Sequence, residues 1–151
     1  MNHNEFLIDK KYFLEQVRYI DENIQDLNHL YISSTPPQER VKDFYSTYVS
    51  EIEQFLAVYD KNGPVSPIPK VFIGTKVTVL YEDDGDTEEF YICLPKQSNP
   101  DEGYISFLSP VGRQLLLKNI GEKISLTIPS GALPVSIKQV TFVGNLAVQE
   151  S

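Results

Sequence analysis

The sequence predicts an α+β protein: an N-terminal antiparallel helical hairpin of coiled-coil type, then a mostly antiparallel sheet domain with one short helix. Three observations predict it. Apolar residues recur in heptads from Phe6 to Tyr31 and again from Val41 to Tyr59. After Lys70 the period falls to two. Between the two regimes lies NGPVSPIPK, residues 62 to 70, whose prolines forbid a continuing helix. The expected boundaries are a hairpin over 1–62, a linker over 63–70 and a sheet domain over 71–151.

In the first stretch Phe6, Phe13, Ile20 and Leu27 repeat every seven residues, and Val17, Ile24 and Tyr31 fill the alternate seam position. One continuous helix there would run roughly 40 Å at 1.5 Å per residue. Val41, Tyr45, Tyr48, Ile52, Phe55 and Tyr59 carry the second stripe. Core packing accounts for these aromatics without a cofactor. Between the stretches, Thr35-Pro36-Pro37-Gln38 has the form of a capping box, with Pro36 at the first helical position. The second helix is therefore expected to begin near Pro36, leaving Ile32, Ser33 and Ser34 as the tip.

Beyond the linker, KVTVLYED and EEFYICLP read as strands around an Asp-Gly turn, and YISFLS as a third. PVGRQLLLKN reads as a short helix, with Ser109 as N-cap and Pro110 behind it. EKISLTIP and ALPVSIKQVTFV close the sheet around Ser130-Gly131.

Composition narrows the function. The net charge of −8 and pI near 4.7 argue against autonomous binding to bare nucleic acid. Cys93 is the lone cysteine, expected as a small core residue in a reducing compartment. The N-terminus has no basic start before an apolar run, and no segment approaches the ~20 apolar residues of a membrane span. A soluble, cytoplasmic protein that does not bind membranes is expected. The acidic run Glu82-Asp83-Asp84-Gly85-Asp86-Thr87-Glu88-Glu89 lacks the ligand spacing of a calcium loop and reads as a solvated hairpin turn. His3 and His29 have no partners at metal-ligand spacing. No catalytic residue, metal ligand or cofactor is expected.

Ser109-Pro110, Leu115-Leu116-Leu117, Gly121-Glu122 and Pro129-Ser130-Gly131, in that order and spacing, resemble the C-terminal domain of the bacterial transcript-cleavage factors GreA and GreB. VFIGTKVTVLYED, residues 71 to 83, resembles that domain's first strand. The resemblance covers about residues 70 to 143; the hairpin is similar in architecture only. It implies an FKBP-like fold that docks on bacterial RNA polymerase near the secondary channel, with Ser106, Ser109 and Pro110 in the docking loop. It also implies a coiled coil that carries its tip to the polymerase active centre. In the cleavage factors, acids at the tip help hold the catalytic Mg²⁺, a hard cation that takes carboxylate oxygens at about 2 Å.

Here the tip, expected to comprise Tyr31, Ile32, Ser33, Ser34, Thr35 and Glu39, departs from that pattern. Ile32 to Thr35 contains no acid, and the nearest are Asp26 and Glu39. Glu39 would sit in the first turn of the second helix, where the helix dipole favours a carboxylate by itself. In its tip the chain is closer to the Rnk group, which similarly joins this domain to a short hairpin without an acidic tip. The expected function is a polymerase-binding regulator of elongation that does not stimulate cleavage and is not itself an enzyme. The alternative is an active cleavage factor using Asp26 or Glu39. A prolyl isomerase would rest on fold alone, and a dimerisation arm on the aromatic hairpin alone; a monomer is favoured.

Overall fold

The protein is described here from a computed structural model covering residues 3–62 and 68–144, with side chains for 10–58 and 68–144. The chain divides into two compact units at residues 65/66. Among the described residues, no helix is long and apolar enough to cross a membrane.

The first unit is a helical hairpin. Helix α1 spans His3–Glu22, α2 Ile24–Ser34 and α3 Phe44–Asn62. The heptad positions Phe13, Ile20, Leu27 and Tyr31 are buried, and so are Tyr45, Tyr48, Ile52 and Phe55 opposite them. The expected seam residues Phe6 and Tyr59 lie outside the described side chains, as does His3. Phe13 meets Phe55 edge-on at 5.5 Å.

Two expectations fail here. The first stretch is not one helix. It breaks at Asn23, whose backbone leaves the helical region (φ −118°, ψ 23°). The Asn23 amide donates to the Tyr19 carbonyl at 2.8 Å, in competition with the backbone N–H of the same residue at 3.0 Å. Local side-chain bonding of this kind is why Asn is poor inside helices. Nor does the second helix begin near Pro36. Residues 37–39 form a single 3-10 turn and the helix begins at Phe44. Tyr31 stacks on Phe44 at 4.5 Å, which sets where the two helices come alongside. A helix starting at Pro36 would leave its first two turns without an opposing helix. Val41, expected in the seam, is accordingly 55% exposed.

One polar pair interrupts the seam. The buried Tyr48 hydroxyl donates to the buried Gln16 amide oxygen. A one-turn slip of the helices, about 5.4 Å, would strand both groups in an apolar seam, so the pair fixes register. Tyr48→Phe is expected to cost about 1–2 kcal/mol, read as a lowered urea midpoint for loss of helical circular dichroism.

The second unit is a five-stranded sheet in the order β3-β2-β1-β5-β4. Its strands are β1 Thr75–Tyr81, β2 Thr87–Cys93, β3 Tyr104–Ser106, β4 Lys123–Ile128 and β5 Gly131–Phe142. All neighbours are antiparallel except β3 on β2, which is parallel. The sheet is therefore mostly antiparallel, as expected, with one parallel pair. Alternation in β1 buries Val77 and Val79 and leaves Lys76, Thr78 and Leu80 on the outer face. A bulge between Thr78 and Val79 leaves Lys138 of β5 as the extra residue.

Helix α4, Pro110–Leu115, lies over the inner face, where Phe107, Leu115, Leu126 and Ile137 are buried. It ends four residues earlier than the sequence suggests. Leu117 adopts the left-handed conformation (φ 67°) and donates its N–H to the Val71 carbonyl at 2.7 Å. Pairing with the Val71 segment overrides the helical pattern of the three leucines. Of the expected linker, residues 63–67 lie outside the described residues. Ile68 is buried, and Lys70 bridges to Asn119 within the sheet unit.

The Gln114 side chain sits at the outer side of β4. Its amide donates to the Thr127 carbonyl at 2.8 Å and accepts the Thr127 N–H at 2.7 Å.

Candidate functional site

Two places carry the residues singled out by the sequence: the hairpin tip in the first unit and the loop before α4 in the second.

At the tip, chain crossing takes nine residues, 35–43, rather than the few expected. The Ser33 and Ser34 hydroxyls both donate back to the Leu30 carbonyl, at 3.2 and 2.6 Å. They close the last turn of α2 while both residues stay exposed. Thr35 is 2% exposed, and its hydroxyl finds no hydrogen-bond partner. The capping box that the sequence suggests at Thr35 is thus not made. Arg40 caps α2 instead, donating from Nε to the Thr35 carbonyl and from a terminal nitrogen to the Ile32 carbonyl, both at 2.9 Å. A guanidinium there satisfies orphan carbonyls and suits the negative end of the helix dipole.

Behind the turn, the Tyr31 hydroxyl accepts the Val41 N–H at 2.7 Å and the Tyr45 hydroxyl donates to the Leu27 carbonyl at 2.9 Å. Burial, with the charge of Tyr31 adding to it, keeps the Tyr45 phenol protonated well above the usual tyrosine range. Ile32, by contrast, is 53% exposed.

Of the two acids nearest the tip, Asp26 lies away from it as expected, and Glu39 differs. Asp26 lies in the first turn of α2, where the dipole favours it, and not at the tip. Glu39 is exposed in the 3-10 turn rather than in a helix. Asp43, which sequence reasoning missed, is exposed at the end of the turn with φ 56°. Its signal was present: an Asp directly before an apolar-periodic run is a helix-start residue. Within 35–43, Glu39 and Asp43 are balanced by Arg40 and Lys42. Among the described residues, no group of three or more His, Cys, Asp or Glu side chains could hold a metal ion.

In the second unit, Ser106, Ser109 and Pro110 do come together. Ser109 caps α4 as expected, its hydroxyl oxygen accepting the Gly112 N–H at 3.1 Å. The same hydroxyl donates to the Ser106 carbonyl at 2.7 Å, and the Ser106 hydroxyl oxygen accepts the Leu108 N–H at 3.0 Å. Arg113 donates to the Leu108 carbonyl at 2.9 Å. Both serine hydroxyls therefore shape the loop, while Pro110 stands exposed at its crest. Gly112, missed at first, makes this closeness possible. A Cβ there would lie 2.1 Å from the Ser106 carbonyl oxygen.

Cys93 is buried beside this loop, its thiol donating to the Ile105 carbonyl at 3.4 Å. Burial pushes its pKa from 9.0 up to about 11. The thiolate fraction near neutral pH should be roughly a hundredfold below that of an unperturbed thiol. Iodoacetamide at pH 8 is expected to label the urea-unfolded chain at least that much faster than the native one. Because the folded pKa is the higher, the stabilisation is complete below pH 9 and is lost as pH rises towards 11. The acidic turn between β1 and β2 is exposed, and Asp84 there accepts the Asp86 N–H at 2.9 Å.

The second unit matches a known family. Residues 66–142 match the family model described as "Transcription elongation factor, GreA/GreB, C-term". A transcription elongation factor GreA of Desulfovibrio desulfuricans is 38% identical over 76 residues, 50% of this chain and 47% of that protein. One from Bacillus cereus is 31% identical over 115 residues, covering 72% of each. Among solved structures, a prokaryotic GreA/GreB elongation factor from Nitrosomonas europaea aligns over 60% of this chain and 79% of that one, with 28% identity and a TM-score of 0.45. The chain spans about half the length of the first curated relatives it matches.

Proposed function

Because the chain belongs to the GreA/GreB family of transcription elongation factors, we infer that it binds bacterial RNA polymerase at the secondary channel and modulates elongation without stimulating RNA cleavage. The sheet unit docks, through the loop that carries Ser106, Ser109 and Pro110, and the hairpin enters the channel. The tip then acts by occupancy, and by competition with cleavage-competent relatives.

One observation carries the non-cleaving part: the turn is charge-balanced. Glu39 and Asp43 are matched in number by Arg40 and Lys42 in the same short segment. Ser33 and Ser34 are bonded to Leu30, and Thr35 is buried. A Mg²⁺ ion needs concentrated carboxylate charge, and this tip supplies little net negative charge.

A second reading, that of a cleavage factor, is favoured by the exposure of Glu39 and Asp43 in one turn. Asp26 is exposed in the first turn of α2, on the far side of Tyr31 from the turn. A backtracked complex of purified polymerase separates the readings. Cleavage at the basal rate, with the chain bound, is the expected result. Cleavage raised to the level of a true Gre factor, and lost in Glu39→Ala or Asp43→Ala, would establish the second reading. Docking is tested by retention of core polymerase on the immobilised chain. Pro110→Glu is expected to weaken retention at least tenfold, and undiminished binding would remove the loop from the interface.

A further inference from the structure

Arg113 grips the residue before Pro110 from both sides. Its backbone N–H donates to the Ser109 carbonyl at 2.8 Å, as the first bond of α4. Its guanidinium turns back and donates to the Leu108 carbonyl at 2.9 Å. These carbonyls belong to the two peptide units that flank Ser109, so one residue holds both. The Leu108–Ser109 peptide is also held at its other end, because the Ser109 N–H donates to the Ser106 carbonyl at 2.9 Å. Beneath it the Phe107 and Leu108 side chains are buried in the core. Arg113 itself is part-buried, and Pro110 is exposed.

The direction in which Pro110 projects depends on φ and ψ of Ser109. The proline ring confines Ser109 to extended backbone, and it stands at φ −69°, ψ 160°. What remains is the tilt of the peptide on its N-terminal side. A single N–H bond leaves that peptide free to rock about it. A guanidinium on the carbonyl end removes the rocking, through a charge-assisted bond roughly twice as strong as a neutral one. We propose that Arg113 is a positioning residue for docking: it sets the crest of the loop before the partner arrives, without touching the partner. This rests on the reading of that loop as the polymerase-docking surface. A crest held ready loses less freedom on binding, and the gain shows chiefly as slower dissociation.

The test uses three variants of the full chain. Arg113→Met keeps an unbranched stem and removes the donor, and Arg113→Lys restores a donor. Val140→Ala, in the buried part of β5, loses stability without touching the loop. In the free chain, Arg113→Met is expected to speed amide hydrogen exchange at Ser109 about fivefold more than at the β5 amides. On the immobilised chain, core polymerase should dissociate from it about fivefold faster. Arg113→Lys should recover most of both effects, and Val140→Ala should leave dissociation unchanged. Exchange at Ser109 and dissociation both unaltered in Arg113→Met would overturn the proposal. Faster dissociation with exchange unaltered would do so too, because Arg113 would then touch the polymerase directly. Equal acceleration by Val140→Ala would reduce the role of Arg113 to general stability. If Pro110→Glu leaves retention undiminished, the docking reading fails and the proposal with it. That failure is told apart because exchange is read without polymerase.

Discussion

Replacing Gly112 by alanine is expected to destabilise the sheet unit by about 3 kcal/mol or more. The added methyl would lie 2.1 Å from the Ser106 carbonyl oxygen and 2.9 Å from the Ser109 hydroxyl. Neither can retreat freely. The Ser106 carbonyl accepts both the N–H and the hydroxyl of Ser109, at 2.9 and 2.7 Å. The Ser109 hydroxyl in turn holds the first turn of α4. Relief requires moving α4 off Phe107 and drawing its own Leu115 out of the core, both at 1% exposure or less. Thermal unfolding should show a drop of several degrees or more. Val111→Ala, one residue earlier and only part-buried, should cost about 1 kcal/mol for the methyls lost. A Gly112→Ala chain as stable as wild type would mean that the loop relaxes without cost. Because the same loop bears Pro110, polymerase retention should fall with it under the function proposed.

Tyr31→Ala should have a comparable effect on the hairpin, about 3 kcal/mol or more, as for other large aromatic truncations. The ring stacks on Phe44 at 4.5 Å and meets Tyr45 edge-on at 6.0 Å. Its hydroxyl holds the Val41 N–H in the turn. Tyr31→Phe separates the contributions: it keeps the stack, leaves that N–H unpaired, and should cost about 1 kcal/mol. Helical circular dichroism against urea reads both. If the two variants were equally stable, the aromatic stack would contribute nothing and the turn would be held by Arg40 alone.

What could be read in the sequence follows from how local each signal is. Heptads and alternation are averages over many residues, so the hairpin, the β1–β2 and β4–β5 pairings and the cap at Ser109 were legible. The misses are places where a distant partner decides. Tyr31 finds Phe44, and that contact pushes the start of α3 eight residues past a plausible capping box. Val71 takes the N–H of Leu117, ending α4 inside a run of leucines. Tyr104–Ser106 pairs parallel to β2 because two 3-10 turns, Pro95–Gln97 and Pro100–Glu102, carry the chain back to Tyr91, beside the last three residues of its neighbour. At the candidate site, the composition of the tip was legible but its extent was not, so Asp43 was hidden in an expected helix. Gly112 was hidden for a related reason: a glycine within a short helical pattern shows its packing role only once the Ser106 carbonyl is in place.

The pairing of Gln114 with Thr127 has a consequence for the chain's behaviour in a crowded cell. Strand β4 ends the sheet, and an end strand offers its outward N–H and C=O groups as a template on which a foreign strand can grow. The Gln114 amide presents one donor and one acceptor to one residue, as a neighbouring strand would, and so occupies that rung of the ladder. Here a single side chain from the helix after the Ser106–Ser109 loop closes part of the sheet's open margin and so guards against self-templated assembly.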